Sequence, residues 1–175
     1  NDKINLFIAE AIYTGIMTDT GSFKFSSTSS ITHKVISDLL EKGADKSKIH
    51  NEIYDNNRIE KIKLLSFALN KIEIIPDYNT AFITLSKSEL NNFDFRKGDT
   101  EGIVNYGLSI KKIKFASIFI EDNKEDIIKI SFRSKGDFDV NKFSRDNFNG
   151  GGHKNASGGI SKDSLSSTIV NFKNA

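Results

Sequence analysis

Asn149-Gly150-Gly151-Gly152-His153-Lys154-Asn155-Ala156-Ser157-Gly158-Gly159 is the stretch on which the reading of this chain turns. Three successive glycines cost backbone entropy on folding. They are useful where the chain takes positive φ, or where its N–H groups approach a ligand with no side chain in the way. A run of such N–H groups makes a concavity that accepts an anion. His153, directly behind Gly150, Gly151 and Gly152, adds a ring that can donate to a phosphate oxygen or pass a proton. Glycine content by itself describes a surface linker with a solvated histidine equally well. The second pair, Gly158-Gly159, and the Ala156-Ser157 between fit a plain linker less well.

Working upstream, Ser131-Phe132-Arg133-Ser134-Lys135-Gly136 sits at the end of a predicted strand. The guanidinium of Arg133 offers a planar donor fork that matches phosphate, and Ser134 can add a hydroxyl. An arginine at a strand end often just faces water. Its weight here comes from lying about one helix before the glycine stretch, so that both can line one pocket. Further upstream, Asp19 stands among small and hydroxyl residues in Thr14-Gly15-Ile16-Met17-Thr18-Asp19-Thr20-Gly21-Ser22-Phe23. A carboxylate there can ligate a hard divalent metal; a lone Asp more commonly caps a turn.

Other candidates carry less. His33 and His50 fall inside predicted helices, away from any trusted ligand spacing. Ser22 and Ser26 lack a His–Asp partner pattern, which leaves little support for a serine hydrolase. Arg96-Lys97 precede a predicted helix start, where a phosphate can sit or the cations can simply be solvated.

The whole chain has 175 residues, 37% hydrophobic and 27% charged, with a net charge of +2. That suits a globular protein of one medium or two small domains, and any nucleic-acid binding must rest on a local patch. With no cysteine, disulfide scaffolds and zinc–thiolate sites are excluded. No apolar run approaches the roughly 18 residues of a membrane helix, and the N-terminus does not read as a signal peptide. A cytoplasmic location is the default expectation. Asn1-Asp2 read as a helix cap ahead of an apolar stretch, as though the chain were cut from something longer; ordinary processing is the alternative.

Hydrophobic periodicity predicts a buried helix over 3–14, then helices over 31–42 (capped by Ser29 or Ser30, stopped by Gly43), 46–55 (capped by Asp45) and 58–70. From residue 71 the texture turns mixed. Strands are predicted over 71–75, 80–85, 114–121 and 127–133, and short helices over 86–92, 100–110 (capped by Asp99 or Thr100), 141–147 and 164–172.

Taken together, Tyr13 to Phe23, Ser131 to Ser134 and Gly150 to His153 resemble the DHH phosphoesterase family, which includes RecJ-like nucleases. The likeness leans to the oligoribonucleases that also dephosphorylate 3′-phosphoadenosine-5′-phosphate, and Arg96 to Asn105 share it. It covers essentially the whole chain. The fold it implies is α/β (α+β): residues 1–57 as the helical tail of the DHH metal-binding domain, 58–70 as a connecting helix, and 71–175 as a small mixed-sheet DHH-associated domain that grips substrate.

The same resemblance implies Asp19 as a manganese ligand in a site of two Mn2+ ions. It implies Arg133, Ser134, Gly150, Gly151, Gly152 and His153 as phosphate contacts, with His153 also able to transfer a proton. The implied partners are short RNA or DNA oligonucleotides or a nucleotide bisphosphate, a missing N-terminal DHH segment, and a second copy in a homodimer, with no membrane. Two departures stand out. Asn149 replaces a fourth glycine, and no Asp-His-His occurs. One Asp cannot hold a two-metal cluster, so this chain alone is expected to bind metal weakly and turn nothing over. The competing class is a non-catalytic nucleotide or nucleic-acid binding module, similar to the associated domain of alanyl-tRNA synthetases, using Arg133, Lys135 and Lys154. The Thr18-Asp19-Thr20-Gly21 motif argues against that class.

Overall fold

The structure, a computed structural model, describes residues 3–25, 27–122 and 124–175. It divides into two compact units, Asn1–Asn57 and Arg58–Ala175. The reading of Asn1-Asp2 as a cap lies outside the described residues.

The first unit is helical. Helix α1 spans Leu6–Asp19, and Asn5 caps it by accepting from the Ile8 N–H at 3.0 Å. It runs five residues past the predicted end. Hydroxyls at and beyond the predicted end bond back along it, Thr14 Oγ1 to Glu10 O at 2.7 Å and Thr18 Oγ1 to Thr14 O at 2.9 Å. A side chain that returns its hydroxyl to the preceding turn leaves the helical ladder intact. Nor is α1 buried on most sides. Ala9, Tyr13 and Met17 form the buried stripe, at i, i+4 spacing, while Phe7 is 79% exposed. Helix α2, Ser30–Glu41, opens with a capping box between Ser29 and Thr32 and ends before Gly43 at φ +93°. Helix α3, Lys46–His50, is capped by Asp45 and continues as a π turn over Asn51–Asp55. Ile36, Leu39 and Ile49 close this unit's core against α1.

The second unit is a six-stranded mixed sheet between two helical layers. Its strands are β1 (Glu73–Ile75), β2 (Thr80–Leu85), β3 (Phe115–Glu121), β4 (Ile128–Ser134), β5 (Gly151–His153) and β6 (Ala156–Ser161). The order is β1-β2-β3-β4-β6-β5, with only β2 and β3 parallel. A parallel pair needs a crossover, and α5 (Lys87–Asn91) and α6 (Ile103–Ser109) supply it. Strand alternation then sorts the side chains. Ile83, Leu85, Ala116 and Ile118 meet α4 (Ile59–Asn70), α5 and α6 on one face. Phe82, Phe119, Ile130 and Phe132 meet α7 (Val140–Phe148) and α8 (Leu165–Asn174) on the other. Gly107 of α6 explains the small residues on the first face: a Cβ there would lie 3.3 Å from Ala116 Cβ and 3.5 Å from Ala81 Cβ. No helix among the described residues is long and apolar enough to cross a membrane.

Two expectations change here. The helix expected from residue 100 begins only at Ile103, after Gly102 at φ +80°. Asp99 does not cap it. Its buried carboxylate instead accepts from Arg58 Nη2 and from the Arg96 N–H, each at 2.8 Å. A carboxylate therefore stands where an incoming phosphate was considered. The glycine-rich stretch, read as a loop, is for the most part a hairpin of β5 and β6 joined at Lys154-Asn155.

Candidate functional site

The hairpin brings Arg133 and His153 into one row. Arg133 pairs with Ala156 across β4 and β6, and Ala156 pairs with His153 across β6 and β5. Directly opposed residues on antiparallel strands project to the same face. With strands about 4.8 Å apart, the two Cα atoms lie about 10 Å from each other, and only the methyl of Ala156 stands between them. Neither residue is in an ion pair among the described residues. Among the described residues, the half-buried Arg133 guanidinium donates only to the carbonyl of Phe132, from Nη1 at 2.9 Å. Burial pulls its pKa below the ordinary arginine value. That is the behaviour of a cation short of counter-charge, and an arriving anion would reverse it. His153 is exposed at the rim.

The glycines do a different job from the one their sequence suggests. The Gly150 N–H donates to Ser144 O at 3.1 Å and the Gly152 N–H to Asn141 Oδ1 at 2.9 Å. Those two donors are already used within the fold, so a cradle of free N–H groups is not what the triplet forms. The missing side chains instead permit close backbone contact. A Cβ at Gly150 would lie 2.0 Å from Gly158 O, and one at Gly152 2.6 Å from Ala156 O. Gly151 and Gly158 are opposed across the hairpin, and a Cβ at either meets nothing closer than 3.5 Å.

Ser134 is placed on the opposite face from Arg133, as neighbouring strand residues must be. It is buried, donates from Oγ to Phe138 O at 2.7 Å and accepts from Asn155 Nδ2 at 2.9 Å. Its hydroxyl holds the turn after β4 and does not face the Arg133–His153 row.

Asp19 belongs to the first unit. It is the last residue of α1, exposed, and its carboxylate makes no hydrogen bond or ion pair among the described residues. The next residues turn left-handed: Gly21, Ser22 and Phe23 have φ of +58°, +56° and +66°. Two non-glycine residues in that region cost about 1–2 kcal/mol each. Thr20 holds the turn, donating from Oγ1 to Ile16 O at 2.6 Å and accepting from the Phe23 N–H at 3.1 Å. Among the described residues no group of three or more His, Asp or Glu side chains could hold a metal ion. The residues present therefore do not by themselves fit a pair of manganese ions.

Residues 79–174 match the family model of the DHHA1 domain. The chain belongs to the DHHA1 domain family. This DHHA1 chain is 31% identical over 156 residues to a Bacillus subtilis (strain 168) protein named bifunctional oligoribonuclease and PAP phosphatase NrnA, a match covering 89% of the chain and 48% of that protein. A Streptococcus mutans protein, named as the probable equivalent, is 30% identical over 157 residues, covering 89% and 49%. The crystal structure of an exopolyphosphatase-related protein from Bacteroides fragilis superposes with a TM-score of 0.92 at 42% identity, covering 98% of this chain and 50% of that one. The DHHA1 chain thus spans about half the length of the curated relatives it matches.

Three residues around the β5–β6 hairpin, Asn141, Arg145 and Asn155, have contacts that the sequence does not announce. Asn141 Oδ1 accepts from both the Gly152 N–H and Arg145 Nε, the latter at 3.2 Å, and so ties α7 to the edge strand β5. Asn155 ties the hairpin tip to the end of β4. Asn141 and Arg145 stand at i, i+4 spacing on a helix, which is visible in sequence. That they face a glycine strand is not.

Proposed function

We propose that this chain is the substrate-gripping part of a phosphoesterase acting on short oligonucleotides or nucleoside bisphosphates, with Arg133 and His153 holding one substrate phosphate between them. The observation that carries the reading is the Arg133–Ala156–His153 row. Two anion-binding side chains without carboxylate partners among the described residues share one face over a methyl floor, so that one phosphate can accept from both. The names of the B. subtilis and S. mutans relatives support the substrate class.

Within this reading, Arg133 contributes a fixed positive charge and a donor fork. His153 contributes a donor and, in its neutral form, a proton acceptor. Holding the phosphate in one orientation is the share of catalysis that such groups provide. Manganese dependence belongs to the same proposal, with Asp19 offering one ligand; among the described residues no cluster supplies the rest of a two-ion site.

The test is calorimetric titration of the 175-residue protein with adenosine 3′,5′-bisphosphate. Arg133→Gln and His153→Ala should each weaken binding at least about tenfold, with melting temperatures unchanged. Equal affinity for wild type and both variants would remove the row from the site. Manganese-dependent hydrolysis of a dinucleotide by this chain alone would overturn the assignment of a gripping role.

A further inference from the structure

The chain has four arginines. Arg58 and Arg96 are paired with Asp94 and Asp99. Arg133 and Arg145 have no carboxylate partner among the described residues, and both flank the β5–β6 hairpin. Arg133 belongs to the proposed phosphate row. Arg145 lies outside every motif noted in the sequence.

Its placement is specific. Arg145 projects from α7 and is exposed. Its Nε donates to Asn141 Oδ1 at 3.2 Å, the same oxygen that takes the Gly152 N–H at 2.9 Å. The guanidinium is thereby fastened to the backbone of the strand that carries His153. Its Nε also stands 3.8 Å from the point that a Gly151 Cβ would occupy. Gly151 has neither positive φ nor a close neighbour that forbids a side chain. A bare strand in front of a tethered cation is an open approach for a ligand group. The two Nη nitrogens make no hydrogen bond among the described residues, so a double donor remains available. Nearby cations differ: Lys142 is paired with Asp146 and Lys154 with Asp137.

Gly151 is two residues from His153, about 7 Å along the strand. That separation suits a second phosphate of the substrate whose first phosphate lies at the row. We infer that Arg145 is a specificity-determining contact for a second phosphate, selecting bisphosphorylated or phosphodiester-linked nucleotides over monophosphates. The inference rests on the phosphate site proposed above.

The experiment compares adenosine 3′,5′-bisphosphate with adenosine 5′-monophosphate, binding each to wild type, Arg145→Gln, Arg145→Lys and His153→Ala. Glutamine is nearly as good a helix former as arginine, so α7 should persist; an unchanged melting temperature checks this. Arg145→Gln should weaken the bisphosphate about tenfold and the monophosphate less than about twofold, and Arg145→Lys should recover part of the loss. An unchanged bisphosphate affinity, or equal weakening of both ligands, overturns the inference while leaving the row intact. If His153→Ala leaves both ligands unaffected, the phosphate site itself fails and Arg145 falls with it.

Discussion

Asn155 Nδ2 donates to Ser134 Oγ at 2.9 Å, while the Asn155 carbonyl accepts the Ser134 N–H at 3.1 Å. This double link fixes the tip of the β5–β6 hairpin to the end of β4. It therefore fixes the strand of His153 against the strand of Arg133. A third bond, from Asn155 Nδ2 to Gly136 O at 3.1 Å, closes the turn.

Asn155→Ala should loosen this link. It leaves the buried Ser134 hydroxyl without a donor, at a cost of about 1–3 kcal/mol. A melting temperature several degrees lower by thermal denaturation is the expected outcome. An unchanged melting temperature would mean that the link carries no stability.

The glycines should separate into two classes. Gly159→Ala would put a Cβ 2.8 Å from Phe148 Cβ and 3.0 Å from Phe148 O, and Gly150→Ala would put one 2.0 Å from Gly158 O. Overpacking of this kind costs about 1–3 kcal/mol or more. Gly158→Ala meets only Ile130 O at 3.5 Å, and should stay within about 1 kcal/mol of wild type. Urea denaturation of the three variants distinguishes the classes, and a uniform loss would contradict the packing argument.

Asp122 gives a pH signature far from the site. The hydrogen bond from Lys129, joined by the Lys124 and Glu125 N–H groups at 2.9 Å each, lowers its pKa from 3.8 to about 2. A depressed carboxylate pKa adds stability that is fully present above the unfolded value and is lost as pH falls through the folded one. The window is thus about pH 4 down to about pH 2. An NMR titration of the Asp122 carboxyl carbon should show the low midpoint, and Lys129→Met should raise it. A midpoint indifferent to that substitution would refute the pairing.

How far the sequence could be read varies with the physics of each element. Ser29 and Asp45 stand before their helices as caps, because a capping side chain acts within three residues. Strands β1 to β4 were legible from their β-branched and aromatic runs, whereas β5 and β6, built largely on glycine, read as a loop. The end of α1 was not legible, because the small and hydroxyl residues from Thr14 onward interrupt the apolar pattern, while the hydroxyls of Thr14 and Thr18 bond back to Glu10 and Thr14 and leave the helix intact. Asp99 read as a cap, but its partner Arg58 is 41 residues away, and local pattern cannot report such a contact. In the site, Arg133 and His153 were named from local chemistry. Their shared face depends on the register through Ala156, which only strand pairing reveals. Ser134 was misplaced for the same reason, since a one-residue step reverses the face.

The most direct test of the Arg133–His153 site is a double-mutant cycle on affinity for adenosine 3′,5′-bisphosphate, using Arg133→Gln, His153→Ala and the pair together. Groups that hold one phosphate act together, and a coupling energy of about 0.5–3 kcal/mol is the expected result. Full additivity of two real losses, or four equal affinities, would contradict a single phosphate shared by Arg133 and His153.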